Sequence, residues 1–346
     1  MNTKFAQLLE NYHYTLPRER IALTPASPRD SARLLIYNRK RKKVHDDRFI
    51  HLVRYLPPRS VLVLNQTKVI PARFTVTKPT GGKAKLLYVG KHGHEVRVRS
   101  EKKLVTGTTL VASHHFTFLV THQCGSDYFV KPLFALHELS AFLNHHGVTP
   151  IPFYLRHTPL KESALRRKYQ TMFARIPGSI AAPTASLHFT PRLIKDLKAH
   201  GHTVKFITLH VNLGTFAPLT EQLVNKGKLH QEWYSIDRRT ADFLNRAKAK
   251  KQPIIAVGTT AVRTLETAAN KHGRLAMLHG ATELFIREGY KFKYIDGMIT
   301  NFHIPRSSLL MLVAAFVGRE KLFSLYRRAI RRGYAFFSFG DGMLLY

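Results

Sequence analysis

Cysteine is almost absent: Cys124 stands alone in 346 residues. An intrachain disulfide and a cysteine-based zinc site are therefore both excluded. Carboxylates are scarce as well, with 21 Asp and Glu against 55 Lys and Arg and a net charge of +34. No run approaches the ~18 apolar residues that span a bilayer, and the apolar stretch 309–317 is too short. Residues 1–17 lack the apolar segment and cleavage site of a secretion signal. Neither G-x-x-x-x-G-K-[ST] nor a convincing G-x-G-x-x-G opens a helix, and H-E-x-x-H is missing, so a P-loop, a dinucleotide fingerprint and a zincin-type site lack support. A cytoplasmic protein with no membrane contact and no metal is expected.

What is present is a chain long enough for two domains, or for one large domain carrying an insertion. Its hydrophobic fraction of 44% suits a folded core. The cationic field attracts polyanions, with nucleic acid first among them. The basic residues are spread along the chain, which fits a general compositional bias equally well.

Hydrophobic patterning divides the chain. Residues 60–65 (SVLVLN) read as a buried strand. Segments 83–89, 94–99, 108–112, 115–120 and 128–131 are short, often alternating and separated by turn residues, as in a small antiparallel barrel or sheet. Residues 134–146 read as a helix ended by Gly147. Beyond Pro150, strands (204–211, 253–257) alternate with helices (191–200, 239–250, 259–270, 307–317, 319–332), and 334–339 reads as extended. The expected fold is a layered α/β body, residues 1–73 and 151–346, with an inserted small antiparallel β-barrel over 74–150.

The most distinctive run is GSIAAPTASLHFT, residues 178–190. It has no charged side chain in a chain loaded with Lys and Arg. Small residues let backbone approach a ligand, while Thr184, Ser186 and His188 supply placed polar groups. A packed turn of small residues accounts for the composition as well. Residues 254–266 (IIAVGTTAVRTLE) combine a strand, a Gly turn and a helix start. Free N–H groups there, with Gly258, Thr259, Thr260 and the Arg263 fork, suit an anion; simple helix capping by a threonine is the alternative. His210 ends a strand before a Gly turn. His230 and Glu232 lie two apart, and Asn301 and His303 sit in a turn closed by Pro305. With 20 His in the chain, none of these is diagnostic alone. Residues 65–73 offer Lys68 and Arg73 to a phosphate.

Taken in order, these motifs resemble one family, the S-adenosylmethionine:tRNA ribosyltransferase-isomerases of queuosine biosynthesis. The matching stretches are LVLNQTKVIPAR (62–73), TGGK (80–83), YQTMFA (169–174), GSIAAPTASLHFT, LHVNLGTF (209–216), AVGTTAVRTLE (256–266) and ITNFHIPRSSLLMLVAAF (299–316). With Tyr14-Thr15-Leu16-Pro17 and Gly340-Asp341-Gly342-Met343 at the ends, the resemblance covers nearly the whole chain. It implies an α/β body with an inserted barrel. It also implies transfer and isomerisation of the ribosyl part of S-adenosylmethionine onto 7-aminomethyl-7-deazaguanine at the tRNA wobble position, giving epoxyqueuosine and releasing adenine and methionine. A tRNA-binding paralogue without turnover is the alternative. S-adenosylmethionine is then a ribosyl-donor co-substrate, the anticodon loop of tRNA is the partner, and a monomer is expected.

Under that resemblance, His188, His210 and Glu232 are the candidate catalytic residues. Thr184, Gly258, Thr259, Thr260, Arg263, Asn301 and His303 are candidates for the cofactor, and Lys68, Arg73 and Lys83 for RNA. The chain departs from the family's usual pattern at Gln66 (Asp), Asn212 (Gly) and Ser186 (Gly), and its residues 150–154 read PIPFY where the family has PLPPY.

Overall fold

The computed structural model describes residues 3–212 and 219–346. Among these, nine strands form one mixed sheet in the order His279–Leu284, Lys228–Ser235, Thr203–Leu209, Val61–Asn65, Ile254–Val257, Gly297–Asn301, Gly342–Leu345, Arg33–Asn38, Lys43–Arg48. The four strands from Thr203–Leu209 to Gly297–Asn301 run parallel. Antiparallel strands flank them on both sides.

Side chains alternate across a strand, so a strand covered on both faces reads as a continuous apolar run. Val61 and Val63 enter one core, with Ile254 and Ala256 beside them. Leu62 and Leu64 enter the other, with Ile255 and Val257. The first core is closed by helices Ser308–Val317, Arg319–Arg331 and Thr259–Ala268, the second by helix Pro191–Ala199. Thr190 caps that last helix, its Oγ1 accepting from Leu193 N–H at 3.3 Å, with Pro191 in the first turn. These are the roles the sequence pattern assigns to both residues.

A closed six-stranded barrel is inserted after the strand Thr67–Val69. Its strands are Arg73–Thr77, Lys83–His92, Glu95–Ser100, Thr109–Val111, Thr117–Cys124 and Asp127–Pro132. Phe74, Val96, Val98, Phe118 and Val130 fill its interior. Phe142, from helix Leu139–His146, plugs it with ring contacts to Phe74 and Phe118 at 5.1 and 5.3 Å. The helix expected over 134–146 therefore begins later, after a 3-10 turn Leu136–Glu138.

One strand lies elsewhere than its pattern suggests. Residues 334–339 are not a strand; Phe336 makes a single bridge to Ile21, and the strand is Gly342–Leu345. Asp341 is the reason. Its buried carboxylate accepts N–H groups from Ala335 and Arg33, both at 2.7 Å, and folds 335–341 into a turn. No described helix is long and apolar enough to cross a membrane.

Candidate active site

The strands Val61–Asn65, Thr203–Leu209, Ile254–Val257 and Gly297–Asn301 end at the same edge of the sheet. That carboxyl edge is where open α/β sheets place ligands. A cavity of about 350 Å³ lies there. Its walls include Thr184, Gly258, Thr259, Thr260, Arg263, Asn301, His303 and Glu232, which the sequence singles out, together with His230.

Gly258 joins strand to helix at φ +88°, a conformation that favours glycine. It is the N-cap residue of helix Thr259–Ala268, so no side chain caps that end. The first N–H groups and the positive end of the helix dipole are directed to the cavity wall. Neither threonine caps the helix; Thr260 Oγ1 is buried without a hydrogen-bond partner.

One turn on, Arg263 is 7% exposed and pairs with Glu232, which is 2% exposed. The Glu232 carboxylate also accepts from Asn212 N–H at 3.0 Å. Arg263 Nε donates to Leu284 O at 3.2 Å, while Nη2 is buried with no partner. The guanidinium is thus oriented by two contacts and keeps one nitrogen for a guest. Two orphaned donors beside a helix N-terminus fit an anionic group such as the carboxylate of an amino acid.

His188 does not line the cavity. It is buried and stacked on Phe49, centroids 4.1 Å apart. Burial lowers its pKa to about 4, against the opposing effect of a hydrogen bond to the Arg29 backbone. It reaches the cavity through Asn301. Asn301 Nδ2 donates toward His188 Nε2 and the carbonyls of Gly340 and Asp341, each at 3.3 Å. Thr184 Oγ1 donates to Asn301 Oδ1 at 2.8 Å. The result is a chain Thr184–Asn301–His188 whose first two members face the ligand space.

His210 also lies off the cavity wall, in hydrogen-bond contact with Thr67 Oγ1 at 2.8 Å. Burial lowers its pKa. A Cβ on Gly178, whose φ is +144°, would sit 3.0 Å from the His210 ring. The first residue of the 178–190 run therefore makes room for an imidazole. Ala181, Ala182, Pro183, Thr184 and Ala185, in its middle, line the cavity. The run thus packs at Gly178 and lines the cavity in its middle.

His303 contacts Thr300 Oγ1 through Nε2 at 2.8 Å, and burial lowers its pKa to about 4. His230 shares a cavity-facing side of its strand with Glu232, as residues two apart do. Its pKa is lowered, by burial first and then by Arg99 of the barrel. Tyr154 and Ser338 form a further part of the wall, joined at 2.8 Å. Neither sits in a stretch of sequence whose charge pattern singles it out.

Lys68 and Lys83 are exposed and Arg73 is half-buried; none is on the cavity wall. Gln66 turns to Thr208 Oγ1 at 3.3 Å and also lies off the wall. Ser186 is fully buried with an unpartnered hydroxyl. Residues 213–216 of LHVNLGTF lie outside the described residues. Among those described, no three His, Cys, Asp or Glu side chains group as a metal site.

The mixed sheet, with its parallel centre and a cavity at the carboxyl edge, has the architecture of an α/β enzyme. The family model described as "Queuosine biosynthesis protein" matches residues 9–345, and the chain belongs to this family. Similar curated proteins include the S-adenosylmethionine:tRNA ribosyltransferase-isomerases of Carboxydothermus hydrogenoformans, 42% identical, and Moorella thermoacetica, 41% identical. Each match covers 97% of this chain and 99% of the relative. The crystal structure of S-adenosylmethionine tRNA ribosyltransferase from Thermotoga maritima is similar at 31% identity with a TM-score of 0.56, covering 97% of this chain and all of that one.

Proposed function

We propose that this chain transfers and isomerises the ribosyl moiety of S-adenosylmethionine onto a tRNA base in queuosine biosynthesis. The observation that carries the reading is the pair of orphaned donors, Arg263 Nη2 and Thr260 Oγ1, at the N-terminus of helix Thr259–Ala268. They suit the methionine carboxylate. Glu232 then serves to hold Arg263, and its place on the same wall would suit a cationic sulfonium.

The chemistry also needs a base for the acidified carbon beside sulfur and a donor to the leaving purine. His230, held neutral on the cavity wall, is suited to accept a proton. His188, with its lowered pKa, is neutral at working pH and is suited to orient Asn301 rather than to donate a proton. His210 is suited to positioning the Thr67 edge.

The acceptor in this reading is 7-aminomethyl-7-deazaguanine at the wobble position of the anticodon loop. Lys68, Arg73 and Lys83 supply cationic surface for that loop, since unpaired bases are read with nearby phosphate contacts. Residues 74–150 form an insertion domain on the 1–73 and 151–346 body. The working state in this reading is a monomer. The expected test result is release of adenine and methionine in equal amounts, only when both S-adenosylmethionine and tRNA carrying the deazaguanine are present. Release without that tRNA, or no release with it, contradicts the reading.

A further inference from the structure

A second hollow of about 980 Å³ opens at the opposite edge of the same sheet. Pro253, which leads into strand Ile254–Val257, and Asp296, which leads into Gly297–Asn301, are on its wall. The cavity begins at the other end of these strands, with Gly258 and Asn301. One strand of five residues separates the two openings, roughly 17 Å.

Two basic segments converge on this hollow. The first is Arg39-Lys40-Arg41-Lys42-Lys43, five consecutive cations at the turn between strands Arg33–Asn38 and Lys43–Arg48. The second is Lys248-Ala249-Lys250-Lys251, at the end of helix Arg238–Ala249. Arg39, Lys40, Arg41, Arg54, Lys248 and Lys251 all line the hollow, and Asp296 is its sole carboxylate side chain among the described residues. That carboxylate is taken by Lys248 at 2.8 Å. Among the described residues, no carboxylate forms an ion pair with the other five.

Two features go beyond a solvated cationic face. The floor is aromatic: Phe292 packs edge-on to Tyr290 and Phe316, at 5.1 and 5.0 Å, and the Arg39 guanidinium sits 4.2 Å above the Phe316 ring. Lys251, on the wall, has a φ of +56°, a position where glycine is the unstrained choice.

We infer that this hollow is a second contact site for the tRNA substrate, gripping its sugar–phosphate backbone away from the base being modified. The inference rests on the proposed tRNA substrate. Charge complementarity selects a polyanion, and the aromatic floor suits the sugar and base faces of RNA. A polynucleotide readily reaches both edges of one sheet, so one RNA molecule engages both openings. The site contributes affinity and leaves the chemical step untouched.

Two variants test this, with unmodified full-length tRNA transcript as the binding probe. In Arg41→Glu/Arg54→Glu/Lys251→Glu, the tRNA Kd is expected to rise tenfold or more at about 0.15 M salt. The slope of log K against log salt is expected to become shallower by about two, at ~0.7–0.9 per lost contact. In turnover, KM for tRNA rises while kcat at saturating tRNA and KM for S-adenosylmethionine stay at wild-type values. Lys251→Gly separates binding from folding: its Tm should equal or exceed wild type while its tRNA Kd rises. Kd and salt slope within twofold of wild type in both variants overturn the inference. If the wild type binds tRNA but never transfers ribose, the functional reading falls while the binding arm still decides the hollow.

Discussion

Glu232 and Arg263 form a buried ion pair that leaves one guanidinium nitrogen unpaired at the cavity. Removing one member of such a pair strands a buried charge and costs about 3–5 kcal/mol, whereas replacing both is often near neutral. Arg263→Met should therefore unfold at markedly lower urea, and Arg263→Met/Glu232→Met should recover most of that loss. Turnover should stay absent in both, because the anion site is gone. Recovery of activity in the double variant would show that the pair serves the fold alone.

Asn301 is held by one donor and presented to three acceptors. Asn301→Ala should lose about 1–3 kcal/mol through unpaired buried groups. Asn301→Asp should be worse at neutral pH, because a carboxylate would face the carbonyls of Gly340 and Asp341. Urea denaturation of the two variants checks the order; equal stability would mean that Asn301 Nδ2 does not face these carbonyls.

The histidines make stability fall in mild acid. The pKa values of His188 and His303 are each about 4 in the folded chain, against 6.5 for the ordinary group. The unfolded chain therefore binds more protons between those values, and unfolding free energy rises with pH across that window. The His188 contribution is fully present above pH 6.5 and lost as pH falls through about 4, for a total of about 3 kcal/mol. Denaturation curves from pH 7 to pH 4 should flatten in His188→Gln. An unchanged slope would place the titrating groups elsewhere.

Gly178→Ala should disturb His210 directly. The new Cβ meets the ring at 3.0 Å at a backbone angle of +144°, and such strain costs roughly 1–3 kcal/mol. If His210 positions the Thr67 edge of the site, kcat should fall in Gly178→Ala as it does in His210→Ala, with the Tm loss measured alongside. Wild-type kcat in both would remove His210 from the site.

The parallel strands were legible in the sequence because both faces of each are buried, so Val61 to Leu64 and Ile254 to Val257 read as unbroken apolar runs. Strand Lys43–Arg48 was not, because KVHDDR sits at the sheet edge with mostly exposed or half-buried side chains and shows no apolar run. Asp341 moved the last strand downstream through two backbone hydrogen bonds that no local pattern encodes. The strand, turn and helix start around Gly258-Thr259-Thr260 and Arg263 were readable because they are local. The partnership of Glu232 with Arg263, and the removal of His188 behind Asn301, depend on contacts between residues 31 and 113 positions apart. Spacing along the chain carries no sign of either.

The most direct measurement is mass spectrometry of nucleosides from tRNA bearing 7-aminomethyl-7-deazaguanine, after incubation with S-adenosylmethionine and the wild-type chain. The account predicts that the precursor nucleoside disappears and one carrying the epoxycyclopentanediol group appears, with Arg263→Met giving none. Unaltered precursor with the wild-type chain, under conditions where it binds both substrates, would contradict the account.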